Sequence, residues 1–220
     1  MNYKLLTGDH PVFASVAKEI VSSLLVPPTD EDGLPDDRIA QGEQRLGFAF
    51  PLVLRQFYGL LGRHGAINNA HSHILSPDRL YVENDALVFC EENQRAYYWS
   101  IALDNLQNED PPVLQGNADE DRWHHYGDRL SAFLLFAICW QSINVMPVAA
   151  SAQISNGVLD RLRASLTEVA GDHGSAELSF YHSGLVVCVF GSQNILYVAA
   201  KDDAMLEAFA ATFDLNLDYL

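Results

Sequence analysis

The sequence has few cysteines, no long apolar run and no recognisable leader, and each of these shortages excludes a class of protein. Its three cysteines, Cys90, Cys139 and Cys188, are widely spaced and form no C-x-x-C pair, so we expect free buried thiols in a reducing cytoplasm. The longest apolar run, Leu130 to Trp140, is shorter than the roughly 20 residues that a membrane-spanning helix needs. Because residues 1–13 lack the sustained apolar stretch of a secretory signal, we expect a cytoplasmic protein without a membrane partner.

Basic residues are also scarce, with 13 Lys and Arg against 29 Asp and Glu in 220 residues and a formal net charge of −16. Such an excess of negative charge repels nucleic acid and anionic membranes, so neither is expected as a partner. It favours a basic partner or serves only to solvate the surface, and net charge alone does not decide between the two. The charge is also segregated, because acidic residues crowd the loop 29–37 and no Lys or Arg occurs from residue 96 to residue 121.

Motifs for catalysis, phosphate binding and metal binding are missing too. The chain has neither a G-x-S-x-G nucleophile elbow nor a glycine-rich phosphate loop. His71 and His73 alternate and His124 and His125 are adjacent, but no third ligand stands at a recognisable spacing. Cys90 precedes two glutamates, whose charge disfavours a reactive thiolate. We therefore predict a protein that is not an enzyme and that holds no cofactor or metal.

What the sequence does contain is a block of helical patterns followed by a block of strand patterns. Apolar spacing predicts helices over about 12–24, 36–46, 51–61 and 129–141. Asp36 or Asp37 begins the second helix, Gly47 ends it, and Asp128 is placed to cap the fourth. Runs rich in aromatic and β-branched residues predict short strands near 74–75, 80–82, 87–90, 96–102 and 113–114. Because the two patterns occur in blocks, the predicted fold class is α+β with helices packed on a mostly antiparallel sheet.

The last third of the chain repeats this order on a smaller scale. Val158, Leu162, Leu166 and Val169 predict a helix that ends at Gly171. Three antiparallel strands are predicted over 177–182, 185–190 and 195–200, and a final helix over about 203–213. This α-β-β-β-α segment, residues 151–220, is either a lobe beside a domain of residues 1–150 or an extension of the same sheet, and the pattern leaves both open.

Three pieces of sequence, taken in order, resemble the SUKH superfamily. The first is IAQGEQRLGFAFPLVLRQFYGLLG, from Ile39 to Gly62, in which a helix, a Gly stop and a Pro start lead into a second helix. The second is LVFCEENQRAYYWSI, in which a strand runs into Glu-Asn-Gln and then to a Trp. The third is DPPV from Asp110 to Val113, followed by Trp123 and then by LSAFL. The resemblance covers about residues 36–141 and does not extend to the C-terminal segment.

The resemblance implies both a fold and a kind of function. It implies helices on a mostly antiparallel sheet, and binding rather than catalysis. The superfamily includes yeast regulators of cell-wall assembly and glucan synthesis, and bacterial immunity proteins that bind and neutralise toxins, often nucleases. The acidic loop 29–37 departs from the family pattern, so we assign it to the choice of partner rather than to the fold.

Two adjacent carboxylates, Glu91 and Glu92, occupy a turn between two apolar strands, where a Gly or Asn-Gly pair is usual. A catalytic pair must converge on one substrate bond, whereas neighbouring residues of a strand point to opposite faces. The alternatives are a structural bend, in which Asn93 and Gln94 satisfy backbone groups, and an exposed edge that offers carboxylates to Lys or Arg of a partner. We interpret the turn as a bend that also exposes a recognition edge.

An aromatic residue and a second acidic stretch extend this predicted recognition surface. Trp99 is expected in the core, which leaves Tyr98 on the opposite side of the strand either packed at an edge or available as a binding anchor. The predicted partner-binding residues are Glu91, Glu92, Asn93, Gln94, Tyr98, Asp104, Glu109, Asp110, Asp119, Glu120 and Asp121. An acidic surface of this kind steers a basic partner and suits the basic cleft of a nuclease.

The leading hypothesis is therefore a cytoplasmic immunity protein that binds one basic toxin domain. A regulatory scaffold with several partners is the alternative, and an enzyme of unrecognised type is a third hypothesis, for which no residue can be named. The oligomeric state stays open.

Overall fold

The computed structural model describes residues 11–169 and 177–220, and in these ranges the chain forms seven α-helices and two antiparallel sheets. The helices are α1 (Pro11–Leu24), α2 (Asp36–Leu46), α3 (Leu52–Leu61), α4 (Gly65–Asn69), α5 (Leu130–Ile143), α6 (Asn156–Ser165) and α7 (Asp203–Phe213). The strands are β1 (His73–Ile74), β2 (Tyr81–Glu83), β3 (Ala86–Glu91), β4 (Tyr97–Ala102), β5 (Val113–Asn117), β6 (His124–Gly127), β7 (Val148–Gln153), β8 (Thr167–Val169), β9 (Glu177–His182), β10 (Leu185–Phe190), β11 (Ile195–Ala200) and β12 (Asp218–Tyr219). The predicted α+β class is confirmed.

The ends of α2 and α7 follow from local sequence signals. Asp36 and Asp37 lie in the first turn of α2, where their charge complements the helix dipole. Gly47 ends α2 at φ 85°, and its N–H donates to the carbonyl of Glu43, as a left-handed glycine cap requires. Asp202 begins α7 by accepting a hydrogen bond from the Met205 N–H. These helix boundaries agree with the sequence prediction.

The first sheet has the strand order β1-β3-β4-β5-β6, and β2 also pairs with β3. The β3–β4 hairpin places Cys90 opposite Trp99 and Glu91 opposite Tyr98. The Phe89 and Trp99 rings both contact Phe133 of α5, with ring centroids 5.3 and 5.6 Å away. The face that carries Trp99 therefore packs on the helices, and the opposite face, which carries Tyr98, is the outer face of the sheet.

The second sheet has the order β12-β7-β11-β10-β9-β8, and helices cover both of its faces. Val186 and Cys188 of β10 share a core with α1, α3 and α5. Val187 and Val189, which alternate with them, pack in a second core with α6 and α7. The layers are therefore the first sheet, the helices α1, α3 and α5, the second sheet, and the pair α6 and α7.

The C-terminal strands do not continue the first sheet, since β9, β10 and β11 belong to the second one. The proposed boundary at residue 150 falls within β7, which pairs with β11. Buried residues from α1, α5 and β10 also belong to a single core cluster. The division into 1–150 and 151–220 thus cuts across a strand and across shared core packing.

Residues 156–169 depart from the predicted helix. The helix α6 ends at Ser165, and Leu166 has extended dihedrals (φ −118°, ψ 162°). Val169 then pairs with Ser179 in the β8–β9 ladder, because β-branched residues suit a strand and a neighbouring strand is available there. The predicted end at Gly171 lies outside the described residues. The strands β7 and β12 and the short helix α4 are further elements that the sequence patterns did not predict.

Candidate binding cavity

A cavity of about 410 Å³ lies on the outer face of the first sheet. Its volume falls within the range that ligand sites usually occupy. The lining residues are Tyr81, Glu83, Asn84, Tyr98, Gly116, Asn117, Ala118, Asp119, Glu120, Asp121, Arg122 and Trp123. The cavity therefore unites Tyr98 and the predicted acidic residues of positions 119–121 with residues from the β2–β3 hairpin.

Two tethers hold the segment between β5 and β6, residues 118–123, against the β2–β3 hairpin. The Asn84 side-chain amide donates to the Asp121 carboxylate at 2.6 Å. The Trp123 indole N–H donates to the Glu83 carbonyl at 3.2 Å. Together these bonds fix this stretch, the 118–123 segment, as one side of the cavity.

Gly116 allows the Trp123 ring to lie directly on the sheet. A Cβ atom at position 116 would come within 2.6 Å of the Trp123 ring atom Cζ3, a distance that forces the indole to move. A residue with any side chain at this position would therefore push Trp123 into the cavity or away from it.

Three aromatic side chains, Tyr81, Tyr98 and Trp123, line the cavity, and all three are half-buried. The Tyr81 hydroxyl donates to the Glu91 carboxylate at 3.2 Å, which holds the Tyr81 ring against the sheet. Burial, reinforced by the charge of Glu91, raises the pKa of Tyr81, so its hydroxyl remains a donor at neutral pH. The three rings are thus available as apolar surface beside the acidic segment.

The lining carries four carboxylates, on Glu83, Asp119, Glu120 and Asp121, against a single guanidinium, on Arg122. Arg122 Nε lies 3.0 Å and His124 Nε2 lies 2.7 Å from the same Glu120 oxygen. The hydrogen bond from His124 and then that from Arg122 lower the pKa of Glu120 to about 2. Glu120 is therefore ionised throughout the physiological pH range, and the cavity presents an excess of negative charge.

Glu91 requires a correction, because the structure buries its carboxylate rather than exposing it to a partner. Its side chain is 8% exposed, with the Arg95 Nε 3.6 Å from one carboxylate oxygen, Oε2. The other oxygen accepts the Tyr81 hydroxyl, while Oε2 itself has no hydrogen-bond partner. Glu91 thus lies behind the tyrosine and does not form an exposed recognition edge.

The turn that follows β3 is closed by Glu92 rather than by the amide side chains predicted for this role. The Glu92 carboxylate accepts the backbone N–H groups of Gln94 at 2.8 Å and Ala96 at 3.2 Å. Asn93 and Gln94 are exposed at the turn. Arg95 takes the left-handed conformation (φ 60°) that a glycine usually supplies in such a hairpin. The bend is therefore stabilised from within, by Glu92.

Asp110 also requires a correction, because its carboxylate is used within the fold. It accepts the Ser131 N–H at 2.7 Å and the Ser131 hydroxyl at 2.6 Å. These bonds satisfy the first turn of α5, for which a cap at Asp128 had been predicted. Asp110, which is remote in sequence from α5, thus takes the role that had been predicted for Asp128.

The other acidic residues of this stretch, Asp104 and Glu109, are exposed in the connection from β4 to β5. This connection leaves the ends of β4 and β5 opposite to those that carry the turn 92–96 and the 118–123 segment. Neither residue lines the cavity. The predicted surface is therefore divided, and only its members Tyr98 and 119–121 meet at one site.

The histidines make ordinary polar contacts. His124 bonds Glu120, and His125 Nε2 lies 3.1 Å from the Asp128 carboxylate. In the part of the chain that the structure describes, no group of three or more His, Cys, Asp or Glu side chains is arranged to hold a metal ion. Nor does any helix within 11–169 and 177–220 combine the length and apolar character needed to cross a membrane.

Sequence reasoning missed Tyr81, Glu83 and Trp123 as members of the site. Trp123 lies two residues after the acidic run 119–121, which is a usable signal, since tryptophan is enriched among the anchor residues of interfaces. Tyr81 gives no comparable signal, because only the hairpin geometry brings it near residues some 40 positions away.

Comparisons with known proteins give no relative for this chain. The chain matches no protein-family model, no curated protein and no solved structure. The resemblance to the SUKH superfamily accordingly stays a prediction.

Proposed function

We propose that the protein is a non-catalytic binding protein that recognises a basic protein partner through the cavity on the first sheet. The observation that carries this proposal is the grouping of three aromatic rings and four carboxylates around one cavity. Aromatic side chains are frequent anchors in protein interfaces, and an acidic surround speeds the encounter with a basic partner. The same features are poorly suited to nucleic acid, whose phosphates this charge would repel.

The contacts of the carboxylates support binding over catalysis. Glu91 is paired with Tyr81 and Arg95, Glu92 closes a turn, and Asp110 is bonded to Ser131. Each of these carboxylates is already engaged in holding the structure. Asp121 and Glu120 are also bonded within the fold, to Asn84 and to Arg122 and His124 respectively. Together with Asp119, however, they are exposed on a segment at the cavity, where all three can contact a macromolecule.

For the partner we propose a toxin domain, neutralised in the cytoplasm by one-to-one binding. Two features support this choice: the resemblance of residues 36–141 to a superfamily rich in immunity proteins, and the excess of negative charge, which complements the basic cleft of a nuclease. A regulatory scaffold is the alternative, and it predicts several weak partners instead of one tight partner.

The proposal is tested with the protein encoded next to this chain's own gene. Co-expression of its C-terminal domain should be tolerated only when the present chain is also made, and the two should co-elute as a one-to-one complex. Raising the salt from about 0.05 to 0.5 M should weaken the complex, because charge attraction between exposed groups is screened. A neighbouring protein that neither harms the cell nor binds the chain would count against an immunity role.

Charge reversal locates the interface on that complex. The variant with Asp119→Lys, Glu120→Lys and Asp121→Lys should lower the affinity by about a hundredfold, since three steering carboxylates become repulsive. A matched control reverses three exposed acidic residues that do not line the cavity, Glu31, Asp104 and Glu207. Equal losses in both variants would show that net charge alone, and not the cavity, attracts the partner.

A further inference from the structure

The cavity combines the two kinds of surface that recognise a guanidinium group. Aromatic rings attract a cation held over their faces, and a planar guanidinium also stacks on them. Carboxylates accept its N–H groups in pairs. The cavity offers both, from Tyr81, Tyr98 and Trp123 on one hand and from residues 119–121 on the other.

The three aromatic rings that line the cavity are not packed on one another. Within residues 11–169 and 177–220, Tyr81, Tyr98 and Trp123 make no ring-to-ring contact among themselves, although Trp99 on the other face of the sheet contacts two rings. Rings that do not fill one another's surface leave room for an inserted side chain. The volume of about 410 Å³ accommodates such a side chain together with part of its loop.

A guanidinium of the chain itself already shows how this lining binds one. Arg122 lines the cavity and places its Nε 3.0 Å from Glu120. Arg122 is itself exposed, so its pairing with Glu120 is weak and open to competition from another cation. An incoming guanidinium would meet the same carboxylate and would have the aromatic rings in addition.

Glu91 adds negative charge behind the aromatic lining. Its Oε1 atom accepts the Tyr81 hydroxyl, and its Oε2 atom is buried without a hydrogen bond. Arg95, whose Nε lies 3.6 Å from Oε2, is largely exposed and offsets this charge only in part. The carboxylate therefore increases the negative potential at the Tyr81 ring, which strengthens the attraction for a cation. Glu91 is thus a positioning residue that acts through Tyr81 and does not touch the ligand.

We infer that this cavity is a receptor for one arginine side chain of the protein partner. The inference rests on the proposed function for the source of the arginine, but the recognition itself can be measured without that partner. The guanidinium lies among Tyr81, Tyr98 and Trp123, and its N–H groups bond the carboxylates of the 118–123 segment. Arg122 competes for one of these carboxylates, Glu120, and lowers the affinity of the free protein for the incoming guanidinium.

The test uses three blocked pentapeptides that differ only at the central residue, which is Arg, Lys or the neutral isostere citrulline. Binding to the full chain is followed by NMR chemical shifts and by tryptophan fluorescence. The Arg peptide should bind about tenfold more tightly than either of the others, because only Arg is both charged and planar. Equal binding of the citrulline peptide would overturn the charge requirement, and equal binding of the Lys peptide would overturn the assignment to arginine. Absence of binding by the Arg peptide would overturn the inference as a whole.

Matched variants show whether the peptide occupies this cavity. Tyr98→Ala should lower the affinity for the Arg peptide about tenfold, whereas Tyr97→Ala, at an exposed neighbour outside the lining, should leave it unchanged. Gly116→Ala should also weaken binding, because the new Cβ displaces the Trp123 ring. Similar effects of Tyr97→Ala and Tyr98→Ala would place the peptide elsewhere.

Arg122→Gln should strengthen binding of the Arg peptide, whereas the variants above should weaken it. A gain in affinity cannot be explained by damage to the fold. Removal of this competing cation should tighten binding of the Arg peptide about threefold and leave the citrulline peptide unaffected. Glu91→Gln should weaken the Arg peptide alone, as expected of a residue that acts through charge at Tyr81. Unchanged or weaker Arg-peptide binding by Arg122→Gln would contradict the inference.

The two proposals fail in different ways. If the Arg peptide binds as described but the partner complex is insensitive to Tyr98→Ala, the cavity is an arginine receptor and the proposed function is wrong. If the partner complex requires the 119–121 carboxylates but the Arg peptide does not bind, the proposed function stands and the inference is wrong.

Discussion

Gln141 joins helix α5 to α4 and to the connection from α4 to β1 through both polar atoms of its side chain. Its Oε1 atom accepts the N–H groups of His71 at 2.8 Å and Ser72 at 3.2 Å. Its Nε2 atom donates to the carbonyls of Ile67 at 3.0 Å and Ser72 at 2.5 Å. One side chain thus satisfies four backbone groups in a place that water does not reach.

Substitution of Gln141 should therefore be among the most damaging single changes. Gln141→Leu keeps the approximate volume but strands two buried N–H groups and two buried carbonyls, so we expect a loss of about 3–5 kcal/mol in the free energy of unfolding. Urea denaturation measures the change. Gln193→Leu, at an exposed turn, is the control and should alter stability by less than about 0.5 kcal/mol. A comparable effect of the two substitutions would contradict the importance of these bonds.

His71 makes the stability of this junction depend on pH. Its ring packs edge-on against Trp140 at 5.3 Å. Burial lowers the pKa of His71 below its usual value, with Glu92 opposing and His73 assisting the shift. As the pH falls through about 6.5, His71 becomes protonated in the unfolded chain but stays neutral in the folded protein. The contribution of His71 to the free energy of unfolding is therefore fully present above that pH and is lost as the pH falls below it.

The corresponding prediction concerns the slope of stability against pH. Between about pH 7 and 5 the free energy of unfolding should decrease, and His71→Gln should make this decrease smaller. Denaturant titrations at several pH values provide the measurement. His182, which is exposed in β9, gives the comparison, and a His182→Gln variant should keep the slope of the parent chain. A slope that His71→Gln leaves intact would mean that other groups cause it.

At the scale of elements, the β2–β3 hairpin supplies three of the twelve residues that line the cavity, Tyr81, Glu83 and Asn84, and depends on an unusual turn. Asn84 and Asp85 both have positive φ, 46° and 58°. They connect the paired residues Glu83 and Ala86, which makes a two-residue turn of the type that matches strand twist. Asn and Asp tolerate this conformation better than other non-glycine residues, but glycine suits the second position best.

Asp85→Gly should accordingly stabilise the protein by roughly 0.5 kcal/mol, since relief of strain exceeds the added freedom of the unfolded chain. Asp85→Val should instead destabilise it by more than about 1 kcal/mol, because a β-branched residue is strained at positive φ. Thermal and urea unfolding of the two variants check the order. Destabilisation by glycine would mean that the Asp85 side chain, rather than the turn conformation, supports the hairpin.

Elements that repeat a clear local pattern were predictable. The strands β9, β10 and β11 were predicted with their observed limits, since apolar runs there are separated by turns such as Ser183-Gly184. The helix α6 was predicted too long, because helical spacing of apolar residues continues into β8 while pairing with β9 is invisible in the sequence. The strand β7, VAASAQ, consists mainly of small residues with little strand preference, so its place beside β11 is determined by tertiary packing.

The candidate site was predictable only in part, for a related reason. Tyr98 and the carboxylates of 119–121 were predicted from strand alternation and local charge. Their meeting with Tyr81 depends on hydrogen bonds such as that from Asn84 to Asp121, which join residues distant in the chain. Glu91 is likewise buried because Tyr81 lies beside it, and no local sequence pattern predicts that contact.

At the scale of the whole molecule, the helical layer of α1, α3 and α5 packs against both sheets. Its buried residues form one cluster with Phe89 of the first sheet and Val186 of the second. A core shared in this way couples the stability of the two sheets. We therefore expect them to unfold together.

The three cysteines provide a measurement of that coupling. Cys90 lies in the first sheet, Cys139 in α5 and Cys188 in the second sheet, and each is buried and free. Burial raises the pKa of Cys139 to about 12, and it raises the pKa values of the other two thiols as well. In the native protein none of the three should react with a thiol reagent at neutral pH.

With increasing urea all three thiols should become reactive in one transition, at the midpoint reported by circular dichroism. Three variants that each retain a single cysteine, the others replaced by Ala, resolve the positions. Separate midpoints for the variants that retain Cys90 and Cys188, after correction for their own stabilities, would show that the sheets unfold independently and would favour a division into two lobes.

The attachment of the 118–123 segment has a consequence for how binding specificity can change. Its side chains reach the rest of the fold through a few outward contacts, Asn84 to Asp121, His124 to Glu120, and Trp123 to Glu83 and Gly116. None of these belongs to the helical layer or to the second sheet. The other residues of the segment can therefore be exchanged, with Asn84, Gly116, Asp121 and Trp123 retained as anchor points, to give the same scaffold a new target.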